Sequence, residues 1–385
     1  MRILLCVQNY KPAYSFGGTV GNAIALSEGL AKLGHCVSVV TSTVIERNKT
    51  PSWRNWTETI AGVNVYYLGS WLTFRKASLN PSVFAFAKAH LAQFDAIHII
   101  GLYDFLGIAI ASFAKRYNIP YSVEPSGMLI PIVQSLQLKR IYHQLFGARL
   151  LAAARAIVVT SKIEWDDAIK FGIPLEKLQL RPNGVDLSEY QHLPPKGKFR
   201  QKWGLSLQDP LILWLGRIEK KKNIEQLLVA LSNVVDLKWQ LAIIGPTESE
   251  LYLGGLRNLS RQLGISKLTH FLPAVYGDEK LSAYVDADIF LLVSIHENWG
   301  NTVQEAIAAG VPVLVTNTCG VSQAVKDRGG LVVEQNIDAI SDGIRNLLTD
   351  VELYQSYKAQ LPALSASLSW DELVKQMAEI FYSWK

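Results

Sequence analysis

Cysteine is scarce in this chain: Cys6, Cys36 and Cys319 are the whole complement, and no C-x-x-C pair occurs. That excludes a disulfide scaffold and a cysteine-ligated structural zinc, and suits a reducing compartment. Long apolar runs are missing as well, none approaching the ~18–20 residues that a membrane-spanning helix needs. The apolar stretch 3–7 follows Met1 and Arg2 in the manner of a signal peptide, but it stops at Gln8 and Asn9 without a small-residue cleavage site. We read it as a first strand. There is no internal repeat and no low-complexity tract.

Apolar residues, by contrast, fill 49% of positions against 18% charged. Such a chain buries sizeable cores and is not disordered. Its 385 residues exceed one ordinary core and suit two domains of roughly 150–200 residues each. The net charge of +5 is unevenly spread: residues 1–185 hold 19 Lys and Arg against 10 Asp and Glu, the remaining 200 hold 19 against 23. A basic half beside a mildly acidic one indicates an anionic surface or substrate for one domain, or simply a solvated basic face.

Short β-branched runs alternate with segments of helical spacing. Strands are predicted at 3–7, 37–41, 63–68, 96–100, 121–123 and 156–160, and the cycle restarts at 211–215, 240–244, 270–272, 289–293 and 313–316. Helices are predicted at 21–33, stopped by Gly34, and at 223–234, 302–309 and 370–384. Repetition of strand and helix gives two doubly wound α/β domains, with ligands expected beyond the C-terminal ends of the strands. The Pro- and Lys-rich stretch 191–198 reads as a linker.

Four motifs carry chemistry. Gly17-Gly18 and Gly21 precede a helix, where glycine lets backbone N–H groups approach an anion. The spacing is not the dinucleotide fingerprint, so either a tight turn or a phosphate loop fits. Gly216-Arg217, after a strand, is followed by Lys222-Asn223 at a helix mouth. Two cations there suit a diphosphate, because each charge-assisted hydrogen bond is worth roughly 1.5–3 kcal/mol. Glu297 and Glu305 bracket Asn298, Trp299, Gly300, Asn301 and Thr302, a glycine loop running into a small-residue helix. Finally, Glu124-Pro125-Ser126-Gly127 ends a strand, and Arg181-Pro182-Asn183-Gly184 reads as a structural turn.

Together and in this order, the motifs resemble the retaining family-4 glycosyltransferases across nearly the whole chain. The likeness includes Leu33-Gly34-His35, Pro182-Asn183-Gly184-Val185-Asp186 and the Ala-Gly-Val-Pro run after Glu305. It implies the GT-B fold, two Rossmann-like domains facing a cleft. Residues 1–187 would bind the acceptor, with 366–385 crossing back to them, and 188–365 would bind a nucleotide-diphosphate sugar, a UDP- or GDP-sugar first of all. It further implies a hexosyltransferase that retains anomeric configuration, uses no metal or resident cofactor, and has no nucleic-acid partner. Arg217 and Lys222 would neutralise the departing diphosphate, Glu297 would hold the sugar and Glu305 the ribose. Amides of 298–302, with Gly216, Ser126 and the Gly17-Gly18 loop, would complete donor binding. Many relatives carry His at the position of Ser126 and Phe at that of Trp299.

The implied acceptor is a glycan or a lipid-linked sugar in cell-surface polysaccharide or glycolipid synthesis. A small soluble acceptor, or an inactive sugar-nucleotide-binding module, stays open. The expected location is cytoplasmic. Segment 134–151, apolar at helical spacing and flanked by Lys139, Arg140, His143 and Arg149, either lies on the inner, anionic membrane face or packs its apolar face on the domain's own sheet with the cations solvated.

Overall fold

A computed structural model describes the chain except residues 47–48, 75–76, 130–145, 248, 327 and 385. The chain divides into two units, Met1–Asn183 together with Trp370–Lys385, and Gly184–Ser369. Both are α/β, each built on its own sheet.

Among the described residues the first sheet has eight strands, β1 (Arg2–Val7), β2 (Cys36–Ser42), β3 (Trp56–Ile60), β4 (Val63–Leu68), β7 (Ala96–Ile100), β8 (Tyr121–Glu124), β9 (Ala156–Val159) and β10 (Leu178–Leu180). Their spatial order is β10-β9-β8-β7-β1-β2-β4-β3, and the ladders are parallel except β3 on β4. A separate hairpin joins β5 (Leu72–Phe74) to β6 (Ala77–Leu79). Central β1 is apolar without alternation because both its faces are covered. Leu4 and Cys6 enter one core, while Ile3, Leu5 and Val7 enter the other. That second core is closed by the helix Trp370–Tyr382, which buries Trp370, Leu373, Val374, Met377, Ala378 and Phe381, the spacing of one helical stripe. It presses on the helix Gly18–Lys32 at Gly29, where a Cβ would lie 2.5 Å from Val374.

The second sheet runs β13 (Thr269–Leu272), β12 (Gln240–Ile244), β11 (Leu211–Leu215), β14 (Ile289–Leu292), β15 (Val313–Thr316), β16 (Gly330–Val333), all parallel. Its central β11 repeats the division of β1, sending Leu211 and Leu213 to one face and Ile212 and Trp214 to the other. Order reverses between β11 and β14, the kind of switch point at which open α/β sheets bind ligands.

Three local readings change. The helix predicted at 21–33 starts at Gly18, because Gly17 at φ 91° turns the chain into it three residues earlier. The stretch 191–198 lies within the second unit, where the Gly197 N–H donates to Asp286 just before the helix Lys198–Trp203. Strands β3, β10 and β16 and the β5–β6 hairpin had no prediction. No helix among the described residues is long and apolar enough to cross a membrane.

Candidate functional site

The second unit concentrates charge at its switch point. β11 delivers Gly216 and Arg217, and a short 3-10 turn, Lys220–Lys222, brings Lys222 to the mouth of the helix Ile224–Ser232. Asn223 caps that turn at φ 59°, a left-handed conformation that Asn tolerates better than most residues. From the other side of the switch, the loop after β14 brings Glu297, and Lys222 Nζ donates to its Oε2. Lys222 is 13% exposed and Glu297 17%. Arg217 and Lys221 gather on Glu219, at 3.2 and 3.6 Å. Burial pushes the Glu297 carboxyl up, but Lys222, Lys221 and Arg217 outweigh it and hold the group below its usual range. The result is a half-buried cluster of three cations, Arg217, Lys221 and Lys222, with two carboxylates, Glu219 and Glu297, drawn into it.

The loop carrying Glu297 is tied on both sides. Ile295 N–H donates to Lys221 O at 2.9 Å, Gly320 N–H to Glu297 O at 2.8 Å, and Val321 N–H to Trp299 O at 2.9 Å. Gly300, at φ 111°, opens the helix Asn301–Ala308, whose positively polarised N-terminus faces out of the same loop. Trp299 is buried, its indole donating to Gln304 at 2.8 Å. With the Trp299 carbonyl taken by Val321, only its backbone N–H is therefore left for a ligand. Glu305, one turn into the helix, accepts from the buried Tyr284 hydroxyl at 2.8 Å and pairs with Lys280 at 3.2 Å. Neither Tyr284 nor Lys280 belongs to a motif, so reading motifs missed both.

Gly245, after β12, was missed too. A Cβ there would sit 1.7 Å from the Gly216 carbonyl oxygen, so a glycine is required for the two strand exits to meet. Its only sequence signal is the strand–Gly–Pro punctuation at Ile244-Gly245-Pro246.

The chain holds one Asp-x-Asp triplet, Asp286-Ala287-Asp288, of the kind that can bind a metal–nucleotide pair. Here Asp286 accepts the N–H of Arg200 at 2.9 Å, and Asp288 accepts from Arg200 Nη2 at 2.7 Å and Leu211 N–H at 2.8 Å. Both carboxylates are committed at the N-terminal ends of β11 and β14, away from the switch-point exits. Among the described residues, no group of three or more His, Cys, Asp or Glu could hold a metal ion.

In the first unit, Gly17 and Gly18 lead from the loop after β1 into their helix, and a Cβ on Gly17 would meet nothing within 4 Å. Its positive φ, rather than crowding, requires glycine. Ser126 and Gly127 follow β8 at φ 51° and 78°. Ser126 Oγ donates to Glu124 Oε1 at 3.2 Å, and Gly127 N–H donates to the buried Glu164. Glu124 also accepts from Arg181, and His98 stands 3.3 Å from it; all three are within 2% of full burial. Burial raises the Glu124 pKa, but Arg181 and His98 win and bring it to about 2, while burial holds His98 below its usual value. Arg181, read from sequence as part of a turn, is thus the counter-charge of the Glu124 loop, with Trp370 stacked 5.4 Å away. Segment 134–151 falls mostly outside the described residues.

The comparisons follow this division. Residues 17–184 match the family described as "Glycosyl transferase 4-like domain", and residues 195–361 match "Glycosyl transferases group 1". An uncharacterized glycosyltransferase of Methanocaldococcus jannaschii is 24% identical, the match covering 99% of this chain and 98% of that one. Among solved structures, sucrose-phosphate synthase from Thermosynechococcus elongatus superposes with a TM-score of 0.77 at 20% identity, over 99% of this chain and 98% of that one. HepE of Anabaena, in complex with UDP and glucose, gives 0.77 at 17% identity over the whole of both chains.

Proposed function

We infer the function from one premise: this chain belongs to the GT-B glycosyltransferases built from a 4-like domain and a group 1 domain. The proposed reaction moves a hexosyl group from a nucleotide-diphosphate sugar, a UDP-sugar in the first instance, to a glycan or lipid-linked acceptor with retention of configuration. The observation that carries it is the Lys222–Glu297 pair with Arg217 and Lys221 beside it, at the exits of β11 and β14. HepE, of like fold, is described with UDP and glucose bound, which favours UDP over GDP.

In this reading Arg217 and Lys222 neutralise the leaving diphosphate, whose charge grows as the glycosidic bond breaks. These cations supply the neutralisation that a metal supplies elsewhere. When donor arrives, Lys222 turns from Glu297 to phosphate, which frees that carboxylate to accept sugar hydroxyls. Glu305, held by Lys280 and Tyr284, accepts the ribose hydroxyls. Gly216 and the amides of 298–302, at a helix N-terminus, take sugar and phosphate oxygens. The first unit, with the Gly17-Gly18 loop and Ser126 at the exits of its own strands, is the proposed acceptor domain.

Thermal-shift screening with UDP, GDP and ADP, followed by UDP-sugar turnover, tests the reading. Ligand at 100 times its Kd stabilises the protein by about 2.7 kcal/mol. No shift with any diphosphate would refute it.

A further inference from the structure

Gln304, on the helix Asn301–Ala308, is 2% exposed, and both ends of its amide are engaged. Its Oε1 accepts from the Trp299 indole at 2.8 Å, and its Nε2 donates to the Gly184 carbonyl. An indole N–H only donates and a carbonyl only accepts, so one orientation of the amide satisfies both. Methionine at this position would satisfy neither, and glutamate would set an oxygen against the Gly184 carbonyl. A position filled for packing alone needs no amide, and a buried amide costs stability unless both its ends are bonded.

The bridge joins two places that their own backbones hold. Gly184 is the first residue of the second unit and Ser369 the last. Val185 N–H donates to Leu368 O at 2.8 Å, and Val185 pairs with Ser369 in a parallel bridge. The chain thus enters and leaves the unit side by side. At the other end, Trp299 O accepts from Val321 N–H at 2.9 Å, and the Trp299 ring enters the core that also takes Val185 and Leu368. Gly300 leaves little slack after it, since a Cβ there would lie 3.0 Å from Leu292 Cδ2.

These ties determine what Trp299 offers to a ligand. Val321 fixes the carbonyl carbon on one side of its Cα, and Gln304 fixes the side chain. With two substituents of a tetrahedral Cα set, the third, the backbone nitrogen, is set as well. Its N–H lies just ahead of a helix N-terminus, where amides bind anions. An amide aimed in advance binds more tightly than one that must be ordered when the anion arrives.

We propose that Gln304 is a positioning residue for the donor: by bridging Trp299 to Gly184, it places the Trp299 backbone N–H for a phosphate oxygen. This rests on the donor reading of the loop and goes beyond it, because Gln304 acts only through its neighbour.

Calorimetric titration of UDP and of uridine into the full chain tests it, with wild type, Trp299→Phe, Gln304→Met and the double variant. Trp299→Phe keeps an aromatic ring in the core and removes the indole donor, and it alone decides the test where Gln304→Met does not fold. Each single variant should lose roughly threefold to tenfold in UDP affinity, a part of the worth of one charge-assisted contact, and bind uridine as wild type does. The double variant should lose no more than Gln304→Met, because both changes break one bridge. Equal losses for UDP and uridine would overturn the proposal, since the bridge would then serve the fold alone. Losses that add in the double variant would overturn it as well. Wild type without a preference for UDP over uridine refutes the donor reading and this one with it. A preference that survives intact in the single variants refutes the positioning role alone.

Discussion

Each unit draws cations and carboxylates together where its strands end, yet the two clusters differ in access to water. In the first, Glu124, Arg181 and His98 are sealed, with exposures of 2%, 1% and 0%. In the second, Lys222 and Glu297 keep 13% and 17% of their side-chain surface, and Lys280 and Glu305 keep 22% each. A sealed ion pair has no partner to exchange, and breaking it strands a charge. A half-buried pair can trade its carboxylate for a phosphate at small desolvation cost. The contrast separates a cluster sealed beneath a loop from one with the access that a ligand needs, although a list of charged residues would not tell them apart.

The sharpest way to break this comparison is to remove one cation from each cluster. Arg181→Met should destabilise the fold by about 3–5 kcal/mol, because it leaves Glu124 buried without its counter-charge; denaturant unfolding at neutral pH measures it. A loss below about 1 kcal/mol would place Arg181 among ordinary surface pairs. Lys222→Ala and Arg217→Ala should instead leave unfolding nearly unchanged and lower kcat/KM by about tenfold to a thousandfold, the cost of one charge-assisted contact that strengthens as the leaving group departs.

How much of this was open to sequence reading depends on where each partner lies. Buried parallel strands such as Leu211–Leu215 and Ala96–Ile100 announce themselves as runs dominated by leucine and isoleucine, even with His98 inside the second, and the sequence places them to the residue. Trp56–Ile60, a polar antiparallel edge strand, has no such run, and Leu178–Leu180 is too short to show one. The second unit's motifs point to Arg217, Lys222, Glu297 and Glu305 as residue types at helix mouths and strand exits. Their partners were out of sight. Lys222 meets Glu297 across 75 positions, and Arg181 meets Glu124 across 57. Tyr284 reaches Glu305 from another helix, and no local pattern predicts pairings of that range. Trp299 was read as a donor contact from its place in the loop, and only packing reveals that its indole turns inward.

Acid sharpens the same comparison. Glu124, at about 2 in the fold against 4.5 unperturbed, has a depressed pKa, so its stabilisation is complete above about pH 4.5 and lost as pH falls toward 2. Glu124→Gln should therefore flatten the fall of stability across that window, read from denaturant unfolding at successive pH values. An unchanged slope would mean that the sealed cluster does not set acid stability. The smallest effect expected is a division of labour in the second unit. Glu305→Gln should weaken binding of free UDP several-fold, while Glu297→Gln should spare it and slow sugar transfer. Equal losses in calorimetry would contradict separate roles.

The central claim is that the open cluster of the second unit holds the donor diphosphate. Calorimetric titration of UDP and of uridine into wild type and Lys222→Ala tests it most directly. The account predicts that wild type prefers UDP by at least about tenfold, the worth of one such contact, and that Lys222→Ala loses most of this preference while binding uridine as before. A preference for UDP that survives intact in Lys222→Ala would contradict it.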